Sequence, residues 1–134
     1  MGSFVLLLRV AAPIFFVVAL LHLALGARAD VLLGARLTPE VLADAVLDSQ
    51  NRFYGVAFAL FGVLMLLAAT DVRKYAAVLR CVLWVFFASG LARLVSMAIH
   101  GLPSPTLVTL LALELTVPPL IITWLRRLTR DGSA

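Results

Sequence analysis

Four apolar segments, each about as long as a bilayer-spanning helix, dominate this chain: residues 4–26, 52–69, 75–99 and 106–125. A helix needs about 20 mostly apolar residues to cross the hydrocarbon core, and only structures that satisfy their own backbone polar groups survive there. Residues 71–74 form a tight charged turn, and Gly101-Leu102-Pro103-Ser104-Pro105 stops one helix and starts the next. Turns this short make consecutive helices antiparallel neighbours. The expected fold is all-α: a four-transmembrane-helix antiparallel bundle forming a single integral membrane domain over residues 1–134.

Composition decides what the bundle is not. Hydrophobic residues make up 63% of the chain and charged ones 13%, against about half and about a quarter in a soluble domain. The mean hydropathy is +1.11. These values exclude a secreted disulfide scaffold, a nucleic-acid module and an ordinary cytosolic enzyme. The net charge of +4 does not argue for a polyanion partner, because the basic residues are spread between apolar segments and all but Lys74 are arginine. Cys81 has no second thiol, which removes intrachain disulfides, thiolate metal sites and redox pairs. It reads as a small buried side chain in a helix.

The first segment competes with a cleavable signal peptide, since Ala27-Arg28-Ala29 before Asp30 resembles an A-x-A cleavage site. Its apolar stretch is longer than a signal core and only Arg9 supplies positive charge, so it is expected to be a retained helix. Residues 30–50 differ in kind. Thr38-Pro39-Glu40 reads as a helix start, with Thr38 as cap and Pro39 in the first turn. Val41, Leu42, Ala45 and Val46 then fall on one stripe, with Glu40, Asp44 and Asp48 mostly elsewhere. The expectation is a short amphipathic interfacial helix between the first two spans, more acidic than basic, acting as a lid on the bundle.

Basic residues flanking the spans set orientation. Arg73, Lys74 and Arg80 cluster at one turn, and Arg126, Arg127 and Arg130 follow the last span. In a four-span chain these clusters share a side, so both termini are expected to be cytoplasmic.

Charges at membrane depth are costly and face a partner or a cavity. Arg93 and Glu114 are the two here. Arg93 lies ten residues before Pro103 and Glu114 eleven after it, so at 1.5 Å per residue both sit roughly 15 Å from the turn and pairing is natural. Ser89, Arg93, Ser96 and His100 share one helix face, as do Arg52, Gly55, Ala59 and Gly62, with Asn51 and Tyr54 beside the outer end of the latter. The small residues permit close helix approach or leave room for a ligand. His22, Arg52, Arg93 and Glu114 place one polar group per span in the outer half, which suggests an outward-opening polar pocket. A purely structural Arg93–Glu114 pair that sets helix register stands beside that reading, as does interfacial snorkelling for Arg52. No cofactor is called for, although axial haem ligation by His22 and His100 stays open. Pro118-Pro119 should kink the fourth helix beside Glu114, and Trp124 with Arg126 and Arg127 reads as an interfacial anchor.

Asn51-Arg52-x-Tyr54-Gly55, Gly90-x-x-Arg93-Leu94-x-Ser96, His100-Gly101-x-Pro103-Ser104, and Glu114-Leu115 with Pro118 follow one another in fixed order. In that order and spacing the chain, over about residues 10–126, resembles the small four-helix bacterial membrane proteins grouped as domain of unknown function 4345. It departs at Phe53-Tyr54-Gly55-Val56, where a pair of small residues, often two glycines, is expected. The resemblance implies a four-span bundle in a bacterial plasma membrane, with Arg52, Arg93 and Glu114 as the polar signature. It implies no activity.

Three functional readings follow. The first is an accessory subunit of a larger membrane complex, with another membrane protein and lipids as partners. The second is a small-amphiphile or lipid binding or transport protein with its pocket around Arg93 and Glu114. The third, a membrane-embedded acid/base enzyme, would need Glu114 to work with His22 or His100. The sequence holds no Ser–His–Asp set, zinc-protease helix, phosphate loop or dinucleotide fingerprint, so no catalytic residue and no metal ligand is assigned.

Overall fold

The computed structural model describes residues 1–130, which form six helices: α1 (Gly2–Leu25), α2 (Arg28–Leu32), α3 (Pro39–Leu42), α4 (Ala45–Thr70), α5 (Ala76–His100) and α6 (Pro105–Arg130). Arg130 closes α6. The four long helices are each apolar enough to cross a membrane, and they pack as an antiparallel all-α bundle. At 1.5 Å per residue, α4 with its 26 residues extends about 39 Å, some 9 Å more than a hydrocarbon core of about 30 Å. Its polar first turns therefore rise into the headgroup region.

Local chemistry explains where the elements stop. Thr38 does cap a helix, its hydroxyl accepting from the Val41 amide at 3.5 Å, and the same hydroxyl holds the Glu40 carboxylate below the ordinary carboxylate range. That helix is only four residues long. The reason is Asp44, whose carboxylate accepts from the Leu47 amide at 2.8 Å and starts a new helix. The single interfacial helix expected over residues 30–50 is thus two short helices, and the second span begins at Ala45, seven residues ahead of Arg52. Val41 and Val46, read as one apolar stripe, sit on different helices and are both exposed. At the opposite end, Asp71 Oδ1 accepts from the amides of Arg73 (3.1 Å) and Lys74 (3.0 Å), tightening the α4–α5 turn.

The bundle's main apolar core lies at that end. Phe4 and Leu8 of α1 meet Ala68 and Ala69 of α4, Leu79 and Leu83 of α5, and Ile122 and Leu125 of α6. Phe4 also packs edge-on against Trp124 at 5.1 Å. Above this core a phenylalanine layer joins the helices, with Phe15 at 5.7 Å from Phe61 and 5.6 Å from Phe86. In lipid such contacts gain close packing more than hydrophobic transfer, and the outward faces stay apolar: Leu6, Leu20, Leu60, Val95 and Leu120 are all exposed. Cys81 belongs to this outward face and not to the interior. Leu79, Val82 and Leu83 define the inward arc of α5, and Cys81 falls outside it.

Towards the other end the buried residues separate into two interfaces. The α1–α4 pair is built on small residues: a Cβ on Gly55 would lie 2.9 Å from the Ala19 carbonyl oxygen, and one on Gly62 3.1 Å from that of Ala12. The Gly55/Ala59/Gly62 face is therefore turned inward, against α1. The α5–α6 pair buries Gly90, Leu111, Glu114 and Pro118. Helix α6 runs through Pro118 and Pro119 as one element, although neither proline can donate to the carbonyls of Glu114 and Leu115. A proline also lies inside α1, Pro13, a feature the apolar pattern of that span masks. One hydrogen bond ties the two pairs across the top: Ser104 Oγ donates to the Leu33 carbonyl at 2.7 Å and accepts from Leu107 N at 3.4 Å as the cap of α6.

Candidate functional site

The polar residues in the half of the bundle that holds the α5–α6 turn fall into two clusters. The deeper one joins α5 and α6. Arg93 Nε donates to Glu114 at 2.8 Å (Oε2) and 3.1 Å (Oε1), the register that equal distances from Pro103 imply. The Glu114 side chain is 7% exposed and that of Arg93 34%, so a buried carboxylate holds a guanidinium that reaches outward. Gly90 makes the pair possible, because its bare Cα lets Leu115 and the Glu114 Cβ approach α5. Only Nε of Arg93 is engaged. Among the described residues no acceptor is hydrogen-bonded to its Nη1 or Nη2. Arg93 lines a cleft of about 200 Å³ with Ser96, Met97, His100, Leu102, Pro103 and Leu107. Met97, Leu102, Pro103 and Leu107 add apolar lining beside its three polar side chains.

The second cluster sits where α1 ends and α4 begins. Arg52 Nε donates to Asp48 Oδ2 at 2.7 Å and Nη2 to Oδ1 at 3.4 Å, an i,i+4 pair. Its Nη1 donates to the Leu23 carbonyl, one of the last carbonyls of α1, which have no partner within their own helix. Arg52 therefore caps α1 and does not simply snorkel into solvent. His22 donates through Nδ1 to the Val18 carbonyl (2.9 Å), faces Asp30 through Nε2 at 3.7 Å, and stacks on Phe58 at 5.9 Å. Asn51 is buried, its amide donating to Leu47 O at 3.2 Å, whereas Tyr54 is half-exposed against Phe53. Gly26 closes the α1–α2 turn at φ 55°, and a Cβ there would overlap the Asp48 carboxylate.

Of the residues singled out from sequence, the structure brings Arg93 to Glu114 and lines one cleft with Arg93, Ser96 and His100. Arg52 lines a different cleft, and His22 stands with Asp30. His22 and His100 belong to separate clusters. Three participants went unassigned in the sequence: Asp48, Asp30 and Ser104. Asp48 was legible from its i,i+4 spacing to Arg52, and Ser104 from its place before Pro105 at a helix start; Asp30 carries no such signal.

A family profile described as domain of unknown function (DUF4345) matches residues 4–125. The chain belongs to this family. No curated protein and no solved structure matches it. The DUF4345 match runs from the Phe4 end of the core to Leu125 and so takes in both polar clusters.

Proposed function

We propose that this DUF4345 protein binds a small amphiphile or lipid in the cleft beneath the α5–α6 turn. The observation that supports this reading is the half-used guanidinium of Arg93. Glu114 fixes the Nε edge, and Arg93 lines a cleft together with Ser96, His100 and several apolar side chains. Such a site suits a polar head with acceptor oxygens whose apolar remainder lies against Met97 and Leu107 or in the surrounding lipid. A volume near 200 Å³ holds a head group and not a whole lipid. The test is purification in mild detergent and mass spectrometry of what co-elutes, for the native chain and for Arg93→Gln/Glu114→Gln. A defined small molecule with the native chain, lost in the variant, is the expected result. The same molecule at unchanged occupancy in the variant would sink the reading.

A second reading, an accessory subunit of a larger membrane complex, is favoured by α5, the least covered of the four spans. Only 17% of its most apolar window is buried, against 28% for each of the others. A stoichiometric membrane-protein partner in the same purification, with no small molecule, supports this reading over the first.

The setting we propose is a bacterial plasma membrane with both termini cytoplasmic. Arg73, Lys74, Arg80, Arg126 and Arg127 are exposed towards the end of the bundle that holds Phe4 and Leu125, against Arg28, Arg36 and Arg52 at the other, and the excess of cationic residues favours the first end as the cytoplasmic one. A fluorescent-protein fusion to the C-terminus should fluoresce; a dark fusion with an active periplasmic reporter at the same position would reverse the orientation.

A further inference from the structure

A second cleft, of about 260 Å³, opens at the top of the α1–α4 pair and shares no lining residue with the Arg93 cleft. Ala24, Leu25, Arg28, Leu42, Asp48 and Arg52 surround it. We propose that it binds a phosphate-type anion and that Arg28 is the principal donor.

Charge supports this first. Two guanidinium groups face one carboxylate, so the cleft carries a net +1. Both oxygens of Asp48 are taken up by Arg52, and Arg52 Nη1 is committed to the Leu23 carbonyl. Arg28 is exposed and, among the described residues, makes no hydrogen bond and no contact ion pair; its charge reaches Asp48 only from a distance, where it adds to the Arg52 hydrogen bond in holding that carboxylate below its ordinary range. Its five donors are therefore available on a planar fork that matches two phosphate oxygens. Placement supports it next. Ala27 and Ala29 are 1% and 2% exposed, so the turn and short helix that carry them are packed down on the bundle while Arg28 between them faces out. The tripeptide that resembles a cleavage site in sequence is, in the fold, two packing alanines around a presented cation. Depth supports it last. Helix α1 ends at Leu25 and the apolar run of α4 begins after Arg52, which puts the cleft at headgroup level, with Ala24, Leu25 and Leu42 as apolar walls for what adjoins the phosphate.

A phospholipid head and a free phosphate share this chemistry, and one experiment separates them. The full chain in mild detergent is titrated with phosphatidylglycerol, with phosphatidylcholine and, separately, with inorganic phosphate, and binding is read by native mass spectrometry and thermal shift. Phosphatidylglycerol should be retained in preference to phosphatidylcholine, and Arg28→Gln should weaken that retention about tenfold or more, as loss of a charge-assisted contact does. Leu42→Asp, which adds a carboxylate to the wall and leaves Arg28 in place, should weaken it similarly. Saturation by inorganic phosphate alone, abolished in Arg28→Gln, keeps the site and makes its ligand soluble. Equal retention of both lipids by the native chain and both variants, with no phosphate effect, overturns the proposal. Neither variant touches the Arg93 cleft, so a ligand bound there should stay, and the two sites fail or stand separately.

Discussion

Arg93→Gln alone should remove most of the folded, monodisperse protein, while Arg93→Gln/Glu114→Gln should recover most of it. The asymmetry follows from burial. Glu114 is almost fully enclosed between α5 and α6, and Arg93 Nε is its one side-chain hydrogen-bond partner among the described residues, at 2.8 and 3.1 Å. Truncating one member of such a pair leaves an uncompensated charge in a low-dielectric interior and costs roughly 3–5 kcal/mol, a large share of a small domain's stability. Glu114→Gln alone should be milder, because Arg93 is a third exposed and its long stem can carry the guanidinium towards the cleft mouth. With both charges gone, two neutral amides of similar size remain. The ranking is read from thermal denaturation in mild detergent followed by size-exclusion fluorescence. Losses that simply add in the double variant would show that the two residues are not coupled.

Gly55→Ala should lower the denaturation midpoint clearly, and Gly55→Leu should abolish the folded state. One methyl group at this position would sit 2.9 Å from the Ala19 carbonyl oxygen, 3.0 Å from His22 Cβ and 3.1 Å from Leu23 N. Two of these three atoms are backbone, so α1 itself has to move, and overpacking of this kind costs roughly 1–3 kcal/mol per methyl-sized insertion. Displacing His22 and Leu23 also pulls on the Arg52–Leu23 hydrogen bond and the His22–Asp30 contact, so the damage should reach the α1–α2 turn. Gly90→Ala is the informative comparison. Its nearest neighbour would be Leu115 Cδ2, also at 2.9 Å, the free end of a flexible side chain, and the expected loss is smaller. Equal losses at the two glycines would mean that α1 and α4 are not held at the spacing described here.

Much of the architecture was legible because lipid is an exacting solvent. A run of about 20 apolar residues has few alternatives to a spanning helix, so the number of spans and their antiparallel order follow from segment length and turn length. The Arg93–Glu114 pair was legible for the same reason: two charges at equal distance from one turn have every incentive to meet. The region between the first two spans was not. Its apolar stripe continued through Asp44, and only the hydrogen bond that this carboxylate accepts from the Leu47 amide divides α3 from α4. Periodicity does not register a cap that interrupts it.

What the amino-acid sequence determined by itself is a membrane bundle of four spans carrying one charged pair between its last two spans. What only the tertiary structure decided is how the remaining polar groups divide. Arg52 turns to Asp48 and the end of α1, His22 turns to Asp30, and Ser104 reaches Leu33, a residue 71 positions away. Spacing along one helix assigns a side chain to a face. Which neighbour that face meets depends on how closely the helices approach, and here glycines at positions 55, 62 and 90 set that approach through van der Waals contact; spacing marks Gly55 and Gly62 as one small-residue face but does not say that the face meets α1.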